Sequence, residues 1–385
     1  MRSGATIGLL SHGPAPGQTG GKMAGIPPNR HLSRANAARR AASAASPVLI
    51  AALLAFSAAA CGHDSLPAQP TPADVTPAPV NTINLGGRIV GSLDDAGLPG
   101  VSVRVASGLQ GTSEADGRFL ISGVPAGRQA AVVSAASIVT RETAMTAPGG
   151  GITMPVIPAD FDLASFNQML RSSGRIQRWA QAPSLVVISR VLKFTSYGDN
   201  EFVALSAELG AREIDLLVSD LASGFASLTG GQIGGFASVT VERPAPGATV
   251  LVKRPRTIVV ADHDGLTAAT GYWGYGRWAT TADDEVVGGI VFLDRGFEAS
   301  EGIYVQSLRI HELGHALGYN HVTMRVSAMN SSARNLPNDW DRQAIRIAFQ
   351  RPPGNRSPDT DPAAYSANVR YEGGRGPVTW SDWIH

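Results

Sequence analysis

Three histidines stand at fixed spacing in the stretch His311-Glu312-Leu313-Gly314-His315-Ala316-Leu317-Gly318-Tyr319-Asn320-His321, and no other feature limits the local fold as much. His311 and His315 are four apart, so on a helix they lie on one face about one turn from each other. The run from Ile303 to Leu317 predicts that helix, with Ile303, Ile310, Leu313 and Leu317 as an apolar stripe on the opposite side. Gly318 is the expected helix stop, because glycine tolerates the left-handed conformation of a C-terminal cap. The chain can then turn sharply and return His321 to the first two rings. Imidazole nitrogens bind Zn²⁺ at ~2.0–2.1 Å, and three of them leave a fourth position open to water, as in a catalytic rather than a structural site. Glu312 follows the first ligand and does not itself ligate. It suits a general base for a water whose pKa the metal lowers towards ~7.

Chance is a poor explanation of the spacing. With 8 His in 385 residues, histidines at three fixed positions arise about once in 10⁵ starting points, before Glu and Gly are demanded. Half of the histidines from position 61 onward belong to this one stretch.

The stretch resembles the metzincin signature, His-Glu-x-x-His-x-x-Gly-x-x-His, and is similar to the matrixin-like members of that family. The resemblance implies a zinc-dependent endopeptidase acting on a protein or peptide, with His311, His315 and His321 as Zn²⁺ ligands and Glu312 as the catalytic base. It also implies a methionine turn beneath the metal. Met329, in Ser327-Ala328-Met329-Asn330, is the counterpart, with Met324 as the alternative. Val322 stands where matrixins carry Ser and astacins Glu, and no Tyr closely follows Met329. The implied fold is an α/β zincin catalytic domain, with a mixed twisted sheet and an active-site helix, over residues 161–350.

The elements around the motif are consistent with such a domain. Leu185-Val186-Val187-Ile188 reads as a strand buried on both faces. Ile214, Leu217, Val218, Leu221 and Phe225 follow helical spacing. Further strands are expected at 236–241, 257–261 and 286–293, and another helix from Asp339. Gly271 to Gly276 would be the edge strand that pairs with extended substrate in metzincins. Tyr272, Trp273, Tyr275 and Trp278 read first as core, and second as substrate-facing. His263, between Asp262 and Asp264, reads as an exposed turn histidine, with a second metal ligand as the alternative. The tail over 351–385 has no assigned role.

Residues 85–146 form a separate pattern. Val101, Val103 and Val105 alternate with polar residues, and Asp116-Gly117 marks a tight turn before Phe119 and Ile121. Short strands with frequent turns predict a small all-β sandwich. The words Leu98-Pro99-Gly100-Val101-Ser102-Val103, Asp116-Gly117-Arg118-Phe119 and Gly123-Val124-Pro125-Ala126-Gly127 resemble the carboxypeptidase regulatory-like domain, a transthyretin-like sandwich. A linker is expected over 147–160.

The amino-terminal stretch reads as an address. Residues 1–60 carry Arg2, Lys22, Arg30, Arg34, Arg39 and Arg40 and no acid, and Val48 to Phe56 is too short for a spanning helix. Small residues then precede Cys61, the one cysteine of the chain. This resembles a bacterial lipoprotein signal, which implies acylation of Cys61, insertion in a lipid bilayer, and a place on the outer membrane or cell surface. Residues 61–84, rich in Pro, would be a tether. A single thiol excludes a disulfide framework and a cysteine-based metal cluster. Beyond residue 60 the balance is 26 Lys+Arg against 31 Asp+Glu, since six of the 32 bases lie before it. An acidic body without a basic run argues against nucleic acid as a partner, and a monomer is expected. The competing expectation is a non-catalytic surface lipoprotein, binding proteins or glycans, with a zinc-stabilised zincin domain.

Overall fold

The computed structural model describes residues 82–385 apart from 301, 370, 372 and 375. The signal, the acylation of Cys61 and most of the tether fall outside the described residues. Among those described, no helix is long and apolar enough to cross a membrane.

Residues 82–156 form two small sheets packed over one apolar cluster. β1 (Thr82–Gly91), β4 (Arg118–Pro125) and β7 (Gly149–Val156) make the first, in the order β4-β1-β7. β2 (Ser102–Val105), β3 (Gln110–Thr112), β5 (Gly127–Ser134) and β6 (Arg141–Ala147) make the second, in the order β3-β2-β5-β6. Alternation sets which side chains enter the core: Val103 and Val105 are buried, whereas Arg104 between them is exposed. The expected linker is corrected here. Ile152, Met154 and Val156 of β7 point into this core, and β7 pairs with β1 in parallel. Its three leading glycines imitate a linker, but the period-two apolar pattern behind them is a strand.

The larger part is mixed α/β. Its strands are β8 (Ser184–Lys193), β9 (Glu201–Glu208), β10 (Ser238–Glu242), β11 (Thr249–Leu251), β12 (Thr257–Asp264), β13 (Gly274–Thr280), β14 (Val286–Asp294) and β15 (Thr379–Trp380). They form one sheet ordered β11-β9-β8-β12-β14-β13-β15, with β10 also paired to β8. β8, β12 and β14 run parallel, and β13 is antiparallel to β14. The helices are α1 (Leu163–Leu170), α2 (Ala211–Leu228), α3 (Leu266–Thr270), α4 (Arg295–Glu298), α5 (Val305–Ala316) and α6 (Asp339–Phe349). Leu185 and Val187 of β8 face the cluster that holds α2, α5 and α6, while Val186 and Ile188 face a second cluster across the sheet. Both faces of the central strands are covered, which is why they read as unbroken apolar runs.

The tail is no loose end. Arg351 makes a two-pronged ion pair with Asp359, its Nη2 donating to Oδ2 at 2.8 Å and its Nε to Oδ1 at 3.1 Å. Arg141 of β6 donates to Asp361 at 2.8 Å, and Asn355 bridges the two carboxylates. Arg351 also donates to the Ser92 hydroxyl at 3.0 Å. These buried groups tie the small sheets to the end of α6.

His263 is not an exposed turn residue. It lies at the end of β12, fully buried, with its ring 4.0 Å from that of Phe292, 4.9 Å from Phe202 and 5.9 Å from Phe194. Neither ring nitrogen has a hydrogen-bond partner, and no set of three metal-ligating groups includes it among the described residues. Burial pushes its pKa down to about 3. An unfolded histidine titrates near 6.5, so the unfolded chain takes up a proton that the folded chain refuses. Stability from this residue is whole above that pH and is lost as pH falls. Replacing His263→Leu, apolar and of similar volume, is expected to remove that loss. The variant should gain about 2 kcal/mol over wild type between pH 7 and pH 5, read from urea unfolding at both values.

Candidate metal centre

The site is built on α5, which is buried along most of its length. His311, Glu312 and His315 are each no more than 1% exposed. The apolar stripe expected from Ile303 is corrected: the helix begins at Val305, and Ile303 is 87% exposed. The helix has no polar face because β13 and β14 cover one side, α2 another, and Met329 a third. A one-sided stripe would be needed only if solvent met the other side.

The helix ends as its glycine predicts. Gly318 has φ +101°; its N–H donates to the His315 carbonyl at 2.9 Å and that of Tyr319 to the Gly314 carbonyl at 3.0 Å. This is a Schellman cap. The Trp179 indole donates to the Ala316 carbonyl at 3.1 Å and satisfies another orphan of the last turn. The chain therefore reverses at once, and His321 comes back over the helix.

The three histidines converge. Their Nε2 atoms lie 3.1 Å apart for His311 and His315, and 3.2 Å apart for each of the other two pairs. A tetrahedral ion with bonds of ~2.05 Å has ligand atoms about 3.3 Å apart, so this triangle is the face of such a tetrahedron. The far nitrogens are held by carbonyls: His311 Nδ1 by Ala328 at 2.8 Å, and His315 Nδ1 by Tyr319 at 2.7 Å. A carbonyl only accepts, so each Nδ1 carries the proton and each Nε2 presents a lone pair. Burial keeps the rings neutral. It pushes His311 down to about 4, with the neighbouring His321 adding to the effect, and His321 to about 4. Burial and then His311 and His321 hold His315 well below the ordinary imidazole range. The triad can hold a metal ion.

Glu312 completes the arrangement. Burial alone raises its pKa well above the usual carboxylate range, and its Oε2 has no hydrogen-bond partner. With His311 it lines a cleft of about 220 Å³, whose rim includes Tyr272, Trp273, Gly274, Ser331, Arg334 and His385. Tyr272 and Trp273 are 45% and 40% exposed, whereas Tyr275 and Trp278 are buried. The aromatic group of the sequence thus divides into two rim residues and two core residues.

Met329 is fully buried, while Met324 is exposed. A side-chain carbon added at Gly314 would land on the Met329 sulfur. The turn itself is held by Asp341 of α6, which sequence reasoning did not single out. Its carboxylate accepts from the Ser327 hydroxyl at 2.6 Å and the Ala328 N–H at 2.9 Å. The same carboxylate closes a capping box with Asn338. The Asn338-x-x-Asp341 spacing was the visible signal.

No family model and no curated protein matches the chain. Among solved structures, a C-terminal interface mutant of the type II cohesin–X–dockerin complex from Acetivibrio cellulolyticus is similar at 18% identity with a TM-score of 0.16. That match covers 20% of this chain and 56% of the other.

The close approach at Gly314 yields a test. Gly314→Ala forces the Met329 side chain aside and should cost about 1–3 kcal/mol of stability, together with at least a tenfold loss of affinity for a titrated divalent ion. Adding Met329→Ala should remove the clash and recover most of the affinity, while the cavity it leaves keeps stability below wild type. Thermal unfolding and competition with a chromophoric chelator measure the two effects.

Proposed function

We propose that the chain is a zinc-dependent endopeptidase of the metzincin type, matrixin-like in its motif, held on a bacterial cell surface by an acylated Cys61. One observation carries this reading. A buried carboxyl without a partner, Glu312, stands beside three neutral imidazole nitrogens spaced as a tetrahedron's face. The donor set suits Zn²⁺, since neutral imidazoles with an open fourth position are typical of catalytic zinc. The ion, when bound, supplies Lewis acidity for the scissile carbonyl and lowers the pKa of water.

The remaining work falls to the chain's own groups. Glu312 takes the proton of the attacking water and delivers it to the leaving amine. Its dry surroundings raise its proton affinity, which suits a carrier that must hold the proton between those two events. The Ala328 and Tyr319 carbonyls keep His311 and His315 in the tautomer that ligation needs. Tyr272 and Trp273 border the cleft where a peptide would lie. The mixed sheet with its buried helix is read as a zincin catalytic domain, and residues 82–156 as a docking module of the carboxypeptidase regulatory-like kind. A purely structural metal site gives Glu312 no role, and a buried carboxyl with an unpaired oxygen destabilises the fold.

Glu312→Gln keeps the shape and removes the proton carrier. The variant should retain its metal and lose 10²–10⁴-fold in kcat on a quenched peptide, about the usual worth of general acid–base catalysis. Metal analysis and hydrolysis assays are run on the same preparation. Unchanged hydrolysis would remove Glu312 from the mechanism.

A further inference from the structure

The edge of the sheet nearest the metal centre is already taken. One side of β13 pairs with β14; its other side is paired by the chain's own last stretch. Thr379 and Trp380 stand opposite Thr280 and Ala279. The Ser381 N–H donates to the Trp278 carbonyl at 2.8 Å, and Gly276 and Ile384 exchange two N–H···O bonds of 3.0 Å each. The strand direction is antiparallel, so the chain advances towards the start of β13. There Gly274 and Gly276 pack against Glu312 and His315. In the Gly276–Ile384 register, the position after His385 would fall opposite Gly274, beside the Glu312 carboxyl.

The side chains of this stretch dock in alternation. Trp383 packs on the sheet's outer cluster, with its ring 4.6 Å from Phe292 and under the Arg277 guanidinium at 4.9 Å. Ile384 turns to the cluster that holds α5. The His385 ring lies 3.6 Å from that of Tyr272, on the rim of the cleft that Glu312 and His311 line. The segment nevertheless stays at the surface: Thr379, Asp382 and His385 are exposed, and none of residues 379–385 is fully buried. It is a surface strap on a complete sheet, in contrast to β14, every residue of which is buried.

An extended peptide brought to the metal centre needs ordered backbone partners beside Glu312. The N–H and C=O groups on the outer edge of β13 are such partners, and strand addition is the usual way a free edge recognises a peptide. The strap holds those groups. We propose that residues 379–385 are an intramolecular competitor for an extended peptide at the outer edge of β13. They lie in the positions ahead of the bond to be cut, and their side chains show what the edge accepts: an aromatic residue, then a branched aliphatic one, then a ring against Tyr272. The part of this inference that concerns cutting rests on the peptidase reading; the occupancy of the edge does not.

The test uses the full chain and its double variant Ser381→Pro/Ile384→Pro. Proline removes the two N–H groups that donate to Trp278 and Gly276 and leaves the metal centre untouched. The probe is a synthetic peptide with the sequence of residues 376–385, labelled and followed by fluorescence anisotropy. The variant is expected to bind it at least tenfold more tightly than wild type, and to hydrolyse a quenched peptide at least fivefold faster through a lower KM. Equal binding by both proteins would overturn the proposal, as would measurable hydrolysis by the wild type at a rate that the variant does not exceed. Hydrolysis by neither protein would count against the peptidase reading alone, and tighter binding by the variant would still uphold occupancy of the edge. Trp383→Ala, which removes the ring anchor and keeps the backbone donors, gives the same comparison if the proline variant does not fold.

Discussion

Two backbone carbonyls decide what this molecule can do. Ala328 and Tyr319 each accept from a histidine Nδ1 and so aim two lone pairs at one point. Both carbonyls depend on chain reversals: the glycine cap at Gly318 places Tyr319, and the turn held by Asp341 places Ala328. A helix alone could set His311 beside His315. It could not orient their rings, and it could not bring His321 to them. The burial that shields these rings also strips Glu312 of water and partners. One packing solution thus produces both the neutral donors and the basic carboxyl.

A second set of buried charges holds the scaffold. Arg141, Arg171 and Arg351 surround Asp359 and Asp361, with Asn355 between them. Burial alone would raise the Asp359 carboxyl, but Arg351 and then Arg141 outweigh it and hold it below the ordinary range. Removing one member of such a network leaves a buried charge unpaired, which typically costs about 3–5 kcal/mol. The network links β6, α1 and the end of α6. The strap that reaches β13 is therefore anchored at its root by charge and at its tip by Trp383.

The parts legible in the sequence were those governed by local rules. The spacing of His311, His315 and His321, the stop at Gly318 and the apolar runs of β8 and β14 each follow from a few neighbouring residues. Met329 is buried beside Gly314. What escaped was set by contacts distant in sequence. Ile303 has helical spacing but lies exposed in the turn ahead of the helix, which is buried on all sides and needs no single apolar face. His263 looked like a turn residue between two aspartates, yet Phe194, Phe202 and Phe292 enclose it from three different segments. The glycines of β7 hid a strand that only β1 completes. The tail carried no periodicity, since its order comes from Asp359 and Asp361 meeting arginines of other segments and from its pairing with the outer edge of β13.

The proposed function requires His311, His315 and His321 together to hold one zinc ion. X-ray absorption at the zinc edge on purified protein, with metal analysis of the same sample and of a His321→Ala variant, tests it most directly. One zinc per chain is expected, with three nitrogen neighbours at ~2.0–2.1 Å and one oxygen neighbour, and the variant should lose the metal. Protein that binds no zinc after loading, or that binds it equally well without His321, would contradict that requirement.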